Sequence, residues 1–241
     1  MTNYKNVKYS FPTVTLSGAT EASPAEGDIW YDSGKFYLGT SQSFTGVWSS
    51  GGNIGTARRF LAGCGTQTAG LCMGGYISTP SSNVTEEYNG TAWSAGGNLA
   101  TVRFGPAGAG TQTAGLCAGG YETSASTNVT EEYNGTAWSS GGNLGTANYN
   151  IAGAGTQTAG LCMGGYVASS YSNITEEYDG TSWTSGGNLA TARYKLAGAG
   201  TQSAGLCMGG EAGSVSNVTE EYDGTSWSSG GNLATARDSP G

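Results

Sequence analysis

The sequence contains no histidine, and only 11% of its 241 residues are charged. Without histidine, a histidine-based catalytic triad and a histidine-ligated metal site are both excluded. No apolar run is long enough to span a bilayer, and the first twenty residues lack the apolar segment of a signal peptide. We therefore expect neither membrane insertion nor export by the usual secretory route.

Basic residues are also scarce. Nine lysines and arginines stand against 17 acidic residues, which gives a net charge of −8 and a pI near 4.4. A surface this acidic repels the phosphate backbone of nucleic acids. We expect no nucleic-acid partner.

Glycine, in contrast, is abundant, with 44 copies, and many of them recur within a repeat of about 45 residues. Five of the six tryptophans mark its period: Trp48, Trp93, Trp138, Trp183 and Trp227. The phrase GTQTAGLC and the phrase TEEY each return once in every one of the four full units, with Ser for the second Thr of the first phrase in the last unit. A fixed period of this length indicates a propeller, a solenoid or a similar repeat architecture.

Each unit reads as four short strands, A to D, which in the third unit fall at residues 151–157, 159–166, 173–180 and around Trp183. Asn-Gly or Asp-Gly joins strands C and D in every unit, which is typical of a type I′ hairpin turn. The small residues of strand A suit the crowded axis of a propeller. The repeated tyrosines and tryptophans are expected to fill the spaces between blades.

The fold class predicted is all-β, a β-propeller of four-stranded antiparallel blades. Five blades are expected, since five tryptophans are in phase and the chain stops where another strand A would begin. The first blade would come from residues 26–50, with strands at 28–32 and 35–39, Trp48 on its strand D, and 12–16 as its strand A. Residues 1–25 would be an N-terminal extension, which supplies that strand or docks on a partner, and residues 51–241 would be the four repeats. Four blades with a separate N-terminal β module are the alternative.

The cysteines do not suggest disulfides. Four of them occupy the same position in successive repeats: Cys72, Cys117, Cys162 and Cys207. Equivalent positions in neighbouring blades lie too far apart for a disulfide. The fifth, Cys64, stands where other repeats have alanine. We expect small buried apolar residues with free thiols. A ring of thiols around an axial metal is the alternative.

No constellation of catalytic residues stands out. Paired glutamates occur in every unit, but adjacent strand residues point to opposite faces and cannot share a substrate as acid and base. One glutamate of each pair is expected to meet a repeat arginine, which Asn148 replaces in one unit. We therefore expect a protein that is not an enzyme and needs no cofactor.

The repeats differ from each other in two places, the B–C loop and the D–A connection. In an up-and-down blade these emerge on one face, opposite the constant Gln-Thr and Asn/Asp-Gly turns, and variation on a rigid scaffold is typical of a recognition surface. The candidate binding residues are Arg59, Phe104, Tyr149, Tyr194 and Lys195 in the D–A connections and Glu122 and Tyr171 in the B–C loops. Drift of exposed loops is the alternative explanation.

The double glycine after strand B, the strand C tyrosine, the strand D tryptophan and the repeat arginines together resemble the kelch repeat. Runs such as WSSGGNLATAR and AGAGTQTAGL are similar to kelch-like proteins of tailed phages of aquatic bacteria. Residues 23–48 resemble the N-terminal hairpin module of phage tail-fibre and appendage proteins.

This resemblance implies a virion protein, made in the host cytoplasm, in a tail fibre or surface appendage. If residues 1–25 do not supply a strand of the first blade, they would dock the protein on the virion. It would bind a host-surface glycan or receptor, or another virion protein, and could be a homo-oligomer within a fibre. A purely structural spacer or capsid decoration protein without a ligand is the alternative.

Overall fold

The computed structural model describes residues 29–32, 35–38, 49–77 and 81–239. The chain divides into two units, Met1–Ser50 and Gly51–Gly241. In the first unit, strands β1 (Ile29–Asp32) and β2 (Lys35–Leu38) form a two-stranded antiparallel sheet. The expected strand at 12–16 and Trp48 lie outside the described residues.

In the second unit, each of the four repeats forms one four-stranded antiparallel sheet with its strands in chain order. These are the blades of a β-propeller. Blade 1 comprises β3 (Ala62–Thr66), β4 (Ala69–Met73), β5 (Thr85–Tyr88) and β6 (Trp93–Ala95); blade 2 comprises β7 (Ala107–Thr111), β8 (Ala114–Ala118), β9 (Thr130–Tyr133) and β10 (Trp138–Ser140). Blade 3 comprises β11 (Ala152–Thr156), β12 (Ala159–Met163), β15 (Thr175–Tyr178) and β16 (Trp183–Ser185), with a small hairpin of β13 (Tyr166–Val167) and β14 (Ser170–Tyr171) between its second and third strands. Blade 4 comprises β17 (Ala197–Thr201), β18 (Ala204–Met208), β19 (Thr219–Tyr222) and β20 (Trp227–Ser229).

The prediction of five blades is wrong, because the structure has four. β1 and β2 lie where strands B and C of the extra blade were expected, but among the described residues they pair only with each other. The reason is visible in the repeat itself. A tryptophan in phase does not make a blade, since residues before 49 lack both the glycine-rich GTQTAGLC phrase and the TEEY phrase on which neighbouring blades pack.

The turn between strands C and D is where the sequence predicted it, but its type differs. Tyr88 pairs with Trp93, and the Asn89 N–H donates to the Ala92 carbonyl. This bond makes Gly90 and Thr91 the two central residues of the turn. Gly90 has a φ of 90° and Thr91 has no positive φ, a pattern typical of type II′ rather than type I′. The Asn89 side chain instead accepts hydrogen bonds from the N–H groups of Thr91 and Ala92.

Neighbouring blades pack most closely at strand A, where glycine meets glycine. A Cβ added to Gly153 would lie 2.5 Å from the carbonyl oxygen of Gly108, and one added to Gly198 would lie 2.6 Å from that of Gly153. No side chain fits between these backbones. The small residues of strand A are therefore needed for close approach, as the sequence predicted.

At strand B, a leucine of one blade packs on a glycine of the next. A Cβ on Gly115 would lie 2.6 Å from Cδ2 of Leu71, and Leu116 meets Gly160 in the same way. The constant Gln-Thr turn adds hydrogen bonds. The Gln112 amide donates to the carbonyls of Gly70 and Tyr88 in the preceding blade, and Gln157 and Gln202 repeat this contact.

Farther out, large side chains fill the widening gap, which confirms their predicted role. Tyr133 is fully buried, and its hydroxyl donates to Glu87 of the preceding blade at 2.5 Å. The Trp138 indole N–H donates to Thr85 Oγ1 of that blade at 2.9 Å. The same two bonds join blades 2 and 3 and blades 3 and 4.

In three of the four glutamate pairs, the first glutamate lies inside its own blade beside a repeat arginine, as predicted. Arg58 meets Glu86 at 2.6 Å and Arg193 meets Glu220 at 2.7 Å, and Arg103 pairs with Glu131 in the same way. All three guanidinium groups are fully buried and also donate to backbone carbonyls. These carboxylates thus hold the scaffold together.

The five thiols are free. Cys117, Cys162 and Cys207 belong to the hydrophobic core clusters, and Cys64 packs partly buried against one of them. Burial raises the pKa of Cys117 and Cys207 to about 12. Each thiol behaves as a small apolar side chain.

Candidate binding face

The two variable segments lie side by side in every blade. Isolated β-bridges pair the D–A connection with the residue that follows the double glycine of strand B: Arg59 with Tyr76, Phe104 with Tyr121, Tyr149 with Tyr166, and Tyr194 with Glu211. The double glycine makes this possible. Gly119 and Gly120 have φ values of 65° and 110°, which turn the chain toward the D–A connection.

These bridges place aromatic rings from successive blades in contact, and we call the result the aromatic belt. Phe104 packs on Tyr76 of the blade before and on Tyr121 of its own, with ring centroids 5.6 and 5.3 Å apart. Tyr149 packs between Tyr121 and Tyr166 at 5.0 and 5.5 Å. Along the belt, rings of the variable D–A connections alternate with the constant tyrosines that follow the double glycines.

The belt ends on the third blade's hairpin. Tyr194 packs on Tyr166, and Tyr171 from β14 stacks on Tyr194 with centroids 5.1 Å apart and planes inclined by 17°. Tyr171 is 37% exposed and Phe60, at the other end, is 36% exposed. Most of the remaining belt rings are half-buried by one another, so they present edges rather than whole faces.

Charged side chains flank the belt at both ends. The Arg59 guanidinium lies over the ring of Tyr76, 4.9 Å from its centroid. At the other end, Lys195 lies over Tyr194, whose hydroxyl donates to Glu211 at 2.9 Å. Burial raises the pKa of Tyr194, and the bond to Glu211 raises it further. The phenol is therefore a neutral hydrogen-bond donor at physiological pH.

A backbone ladder runs beside the belt. The N–H of Gly105 donates to the carbonyl of Phe60, that of Asn150 to Gly105, and that of Lys195 to Asn150. These residues have positive φ values between 52° and 62°, and Ser239 continues the ladder with a φ of 46°. The ladder fixes the spacing of one blade's connection against the next.

A cavity of about 210 Å³ opens on this ladder, where the D–A connections enter the innermost strands. The side chains of Asn150, Lys195 and Ser239 supply its polar lining, and Pro106 and Ile151 contribute apolar surface. Lys195 also lies 3.7 Å from Asp238 and 3.9 Å from Glu211. The cavity therefore offers a cation, an amide and a hydroxyl beside apolar walls.

The structure brings most of the predicted site residues together. Phe104, Tyr149, Tyr194 and Tyr171 lie in the belt, and Arg59 and Lys195 lie on its rings. The Glu122 side chain makes no hydrogen bond or ion pair among the described residues; its N–H donates to the Ala125 carbonyl in a turn of the B–C loop.

Sequence reasoning missed three belt members, Tyr76, Tyr121 and Tyr166, because they are constant in the GGY phrase and were assigned to strand B. The signal was the double glycine before them, which interrupts a strand. The variable ring of each blade packs against these constant rings.

No protein-family model matches the chain. Among the curated proteins, none matches its sequence. The resemblance to kelch and phage-appendage repeats thus rests on the motifs in the chain itself.

The described residues contain no group of three or more acidic or cysteine side chains able to hold a metal. Within the same residues, no helix is long and apolar enough to cross a membrane.

Proposed function

We propose that the protein is a structural protein of a phage virion, in a tail fibre or surface appendage, and that its aromatic belt binds a glycan on the host surface. The observation that carries the binding proposal is the belt itself, a continuous run of rings contributed by all four blades on the face where the repeats vary. The virion assignment is supported by the resemblance of the repeats to phage appendage proteins.

A carbohydrate suits this surface because its ligand chemistry is mixed. Aromatic rings stack on the apolar faces of sugar rings, while phenols, amides and hydroxyls bond the sugar hydroxyls. Tyr171 and Phe60 present the most exposed rings, and Asn150 and Ser239 lie in the adjacent cavity. A pyranose chain lying along the belt would meet a ring at each blade.

The test is a glycan array probed with the purified protein and with the variant Tyr171→Ala. Tyr171 contacts only Tyr166 and Tyr194 among the belt rings, so its removal spares the blades. Loss of one stacked ring costs about 1–3 kcal/mol, a roughly 5- to 150-fold weaker affinity. Thr136→Ala, on the opposite face, is the matched control and should bind like the native protein.

Absence of binding to any glycan, or equal losses in the variant and the control, would overturn the binding proposal. The virion assignment has its own test. Mass spectrometry of purified particles from the phage that encodes the chain should detect it as a stoichiometric component.

A purely structural role is the second candidate, and one observation favours it. The outward faces of blades 1 and 4 are incompletely covered. Gly63 and Glu221 are exposed, whereas the residues at the same positions in the inner blades face a neighbouring blade. Surfaces of this kind are used for assembly.

A further inference from the structure

The row of four blades does not close on itself. The innermost strands of blades 1 and 2, of blades 2 and 3, and of blades 3 and 4 pack directly against each other, whereas β17 and β3, within the described residues, make no comparable contact. Repeat proteins need their terminal units covered or capped. Both ends of this row carry contact groups without partners.

At the blade 4 end, the groups that an inner blade offers to its successor are present but unused. Leu206 is half-exposed, although its counterparts Leu71, Leu116 and Leu161 are almost fully buried. Thr219 Oγ1 is buried and has no hydrogen-bond partner in the described part of the chain, while its counterparts accept a tryptophan N–H from the next blade. Glu221 is exposed, and no tyrosine hydroxyl among the described residues reaches it.

At the blade 1 end, the reciprocal groups are present. Gln67 is exposed, whereas Gln112 and its later counterparts bond two carbonyls of the preceding blade. The Trp93 indole and the Tyr88 hydroxyl have no acceptor among the described residues, although their counterparts bond Thr and Glu of the blade before. A Cβ added to Gly63 would have only one atom within 4 Å among the described residues, the Leu71 carbonyl oxygen at 3.7 Å.

We infer that these two ends bind each other between chains, so that blade 4 of one copy packs on blade 1 of a second copy. The junction would repeat the three that already exist within the chain: Leu206 on Gly70, Trp93 on Thr219, and Tyr88 on Glu221. Such a head-to-tail contact uses different surfaces on its two sides, so it produces a closed ring or a filament.

A second copy fits this place better than residues 1–48 of the same chain. A partner for blade 4 must present a glutamine directly after the glycine-rich strand, a glycine opposite leucine, and a tyrosine five residues before a tryptophan. Blade 1 carries this set in Gln67, Gly70, Tyr88 and Trp93, and residues 1–48 do not.

The connecting segments make the external junction weaker than an internal one. Residues 51–58 and 230–237 are identical at six of eight positions, and at a junction both would lie in the same place. Arg58 already fills the pocket of blade 1. The Arg237 side chain, in contrast, is exposed and bonds only the Thr235 carbonyl among the described residues. One of the two segments therefore has to leave its position, which makes the assembly reversible and dependent on concentration.

The experiment is sedimentation velocity of the full chain over a range of concentrations, with two variants that each block one end. Gly63→Val places a side chain against the backbone that would dock there, and Leu206→Glu places a charge in the apolar contact. Both positions are partly or fully exposed in the single chain, so both variants should fold, as circular dichroism would check. Thr136→Glu, exposed on a constant turn, is the control.

We expect the native protein and the control to shift to multi-chain species as concentration rises, and each blocked variant to sediment as a single chain. In an equimolar mixture of the two variants, the Gly63→Val chain keeps an intact blade 4 end and the Leu206→Glu chain keeps an intact blade 1 end. The mixture should therefore give dimers and nothing larger. A native protein that stays a single chain at every concentration, blocked variants that assemble normally, or a mixture that stays monomeric would each overturn the inference. None of these results depends on whether the belt binds a glycan, which the array tests separately.

Discussion

Replacing Asn148 with arginine should stabilise the protein, because blade 3 lacks the buried cation that the other three blades have. In blade 2, Arg103 donates to the Gly119 carbonyl at 3.1 Å and to the Val129 carbonyl at 2.8 Å, and it also pairs with Glu131. The Asn148 side chain donates to the Gly164 carbonyl at 2.7 Å, and its Oδ1 is buried with no hydrogen-bond partner among the described residues.

Blade 3 leaves a small space unfilled between Asn148 and Glu176. A small cavity of about 10 Å³ is bordered by Asn148, Ile151 and Glu176. Glu176 is only 7% exposed and accepts the Gly145 N–H, a bond that its counterparts in the other blades also make. It also accepts the Thr146 N–H, whereas those counterparts meet a guanidinium. Arginine at position 148 would therefore reach a buried carboxylate that no cation meets among the described residues.

The size of the effect follows from two opposing contributions. Hydrogen bonds to a charged group stabilise by about 1.5–3 kcal/mol each, and removing a guanidinium from water costs several kcal/mol. We expect Asn148→Arg to gain about 1–3 kcal/mol in free energy of unfolding. For a chain of this size that raises the melting temperature by about 2–10 °C.

The reverse change, Arg103→Asn, leaves Glu131 buried without a cation and should lose about 3–5 kcal/mol. Thermal unfolding followed by circular dichroism measures both variants, and Arg59→Asn, the same change at an exposed arginine, is the control. A lower melting temperature for Asn148→Arg would refute the reasoning. So would an Arg103→Asn variant that melts no earlier than the control.

Three further outcomes are expected. Burial and hydrogen bonds to glutamate raise the pKa of Tyr178 and Tyr222 from 10.0 to about 12. The contribution of these phenols to stability is therefore complete below pH 10 and is lost as the pH rises toward 12. Urea unfolding across that range should show the decline, and the Tyr178→Phe variant should flatten it. The core thiols should resist a thiol reagent in the native protein, while all five react in denaturant without reductant; a count of three or one would show disulfides. Gly153→Ala should lose about 2 kcal/mol or more, because its Cβ would meet the Gly108 backbone, whereas Gly63→Ala, at the open end of the same series, should melt like the native protein.

The strands within each blade could be predicted from the sequence because every repeat has the same turn residues at the same spacing. The third repeat's strands were expected at 151–157 and 159–166 and are found at Ala152–Thr156 and Ala159–Met163. The pairing of a glutamate with the repeat arginine was also predictable, since opposite charges recur together in three units. These features are either local in the sequence or repeated, and the four repeats can be compared with each other within the one chain.

The number of blades was not predictable from the tryptophan spacing, because a blade is defined by its contacts with its neighbours. The Gln112 amide shows the difficulty: it lies in a turn whose geometry explains the local sequence, yet its side chain bonds the preceding blade. The aromatic belt was found only in part for a similar reason. Tyr121 seemed to belong to a strand, and only the two glycines before it turn its ring toward Phe104.

The contact of Gln112 with Gly70 and Tyr88 has a consequence for how such a protein can evolve. The amide donates to main-chain carbonyls, which every unit has, so this contact between units does not depend on the side chains of the variable loops. A duplication or deletion of one 45-residue unit by recombination between near-identical repeats would preserve every joint and change only the length of the array. Each added unit would extend the row of rings by its own constant and variable members, so the reach of the surface could lengthen or shorten in a single genetic step.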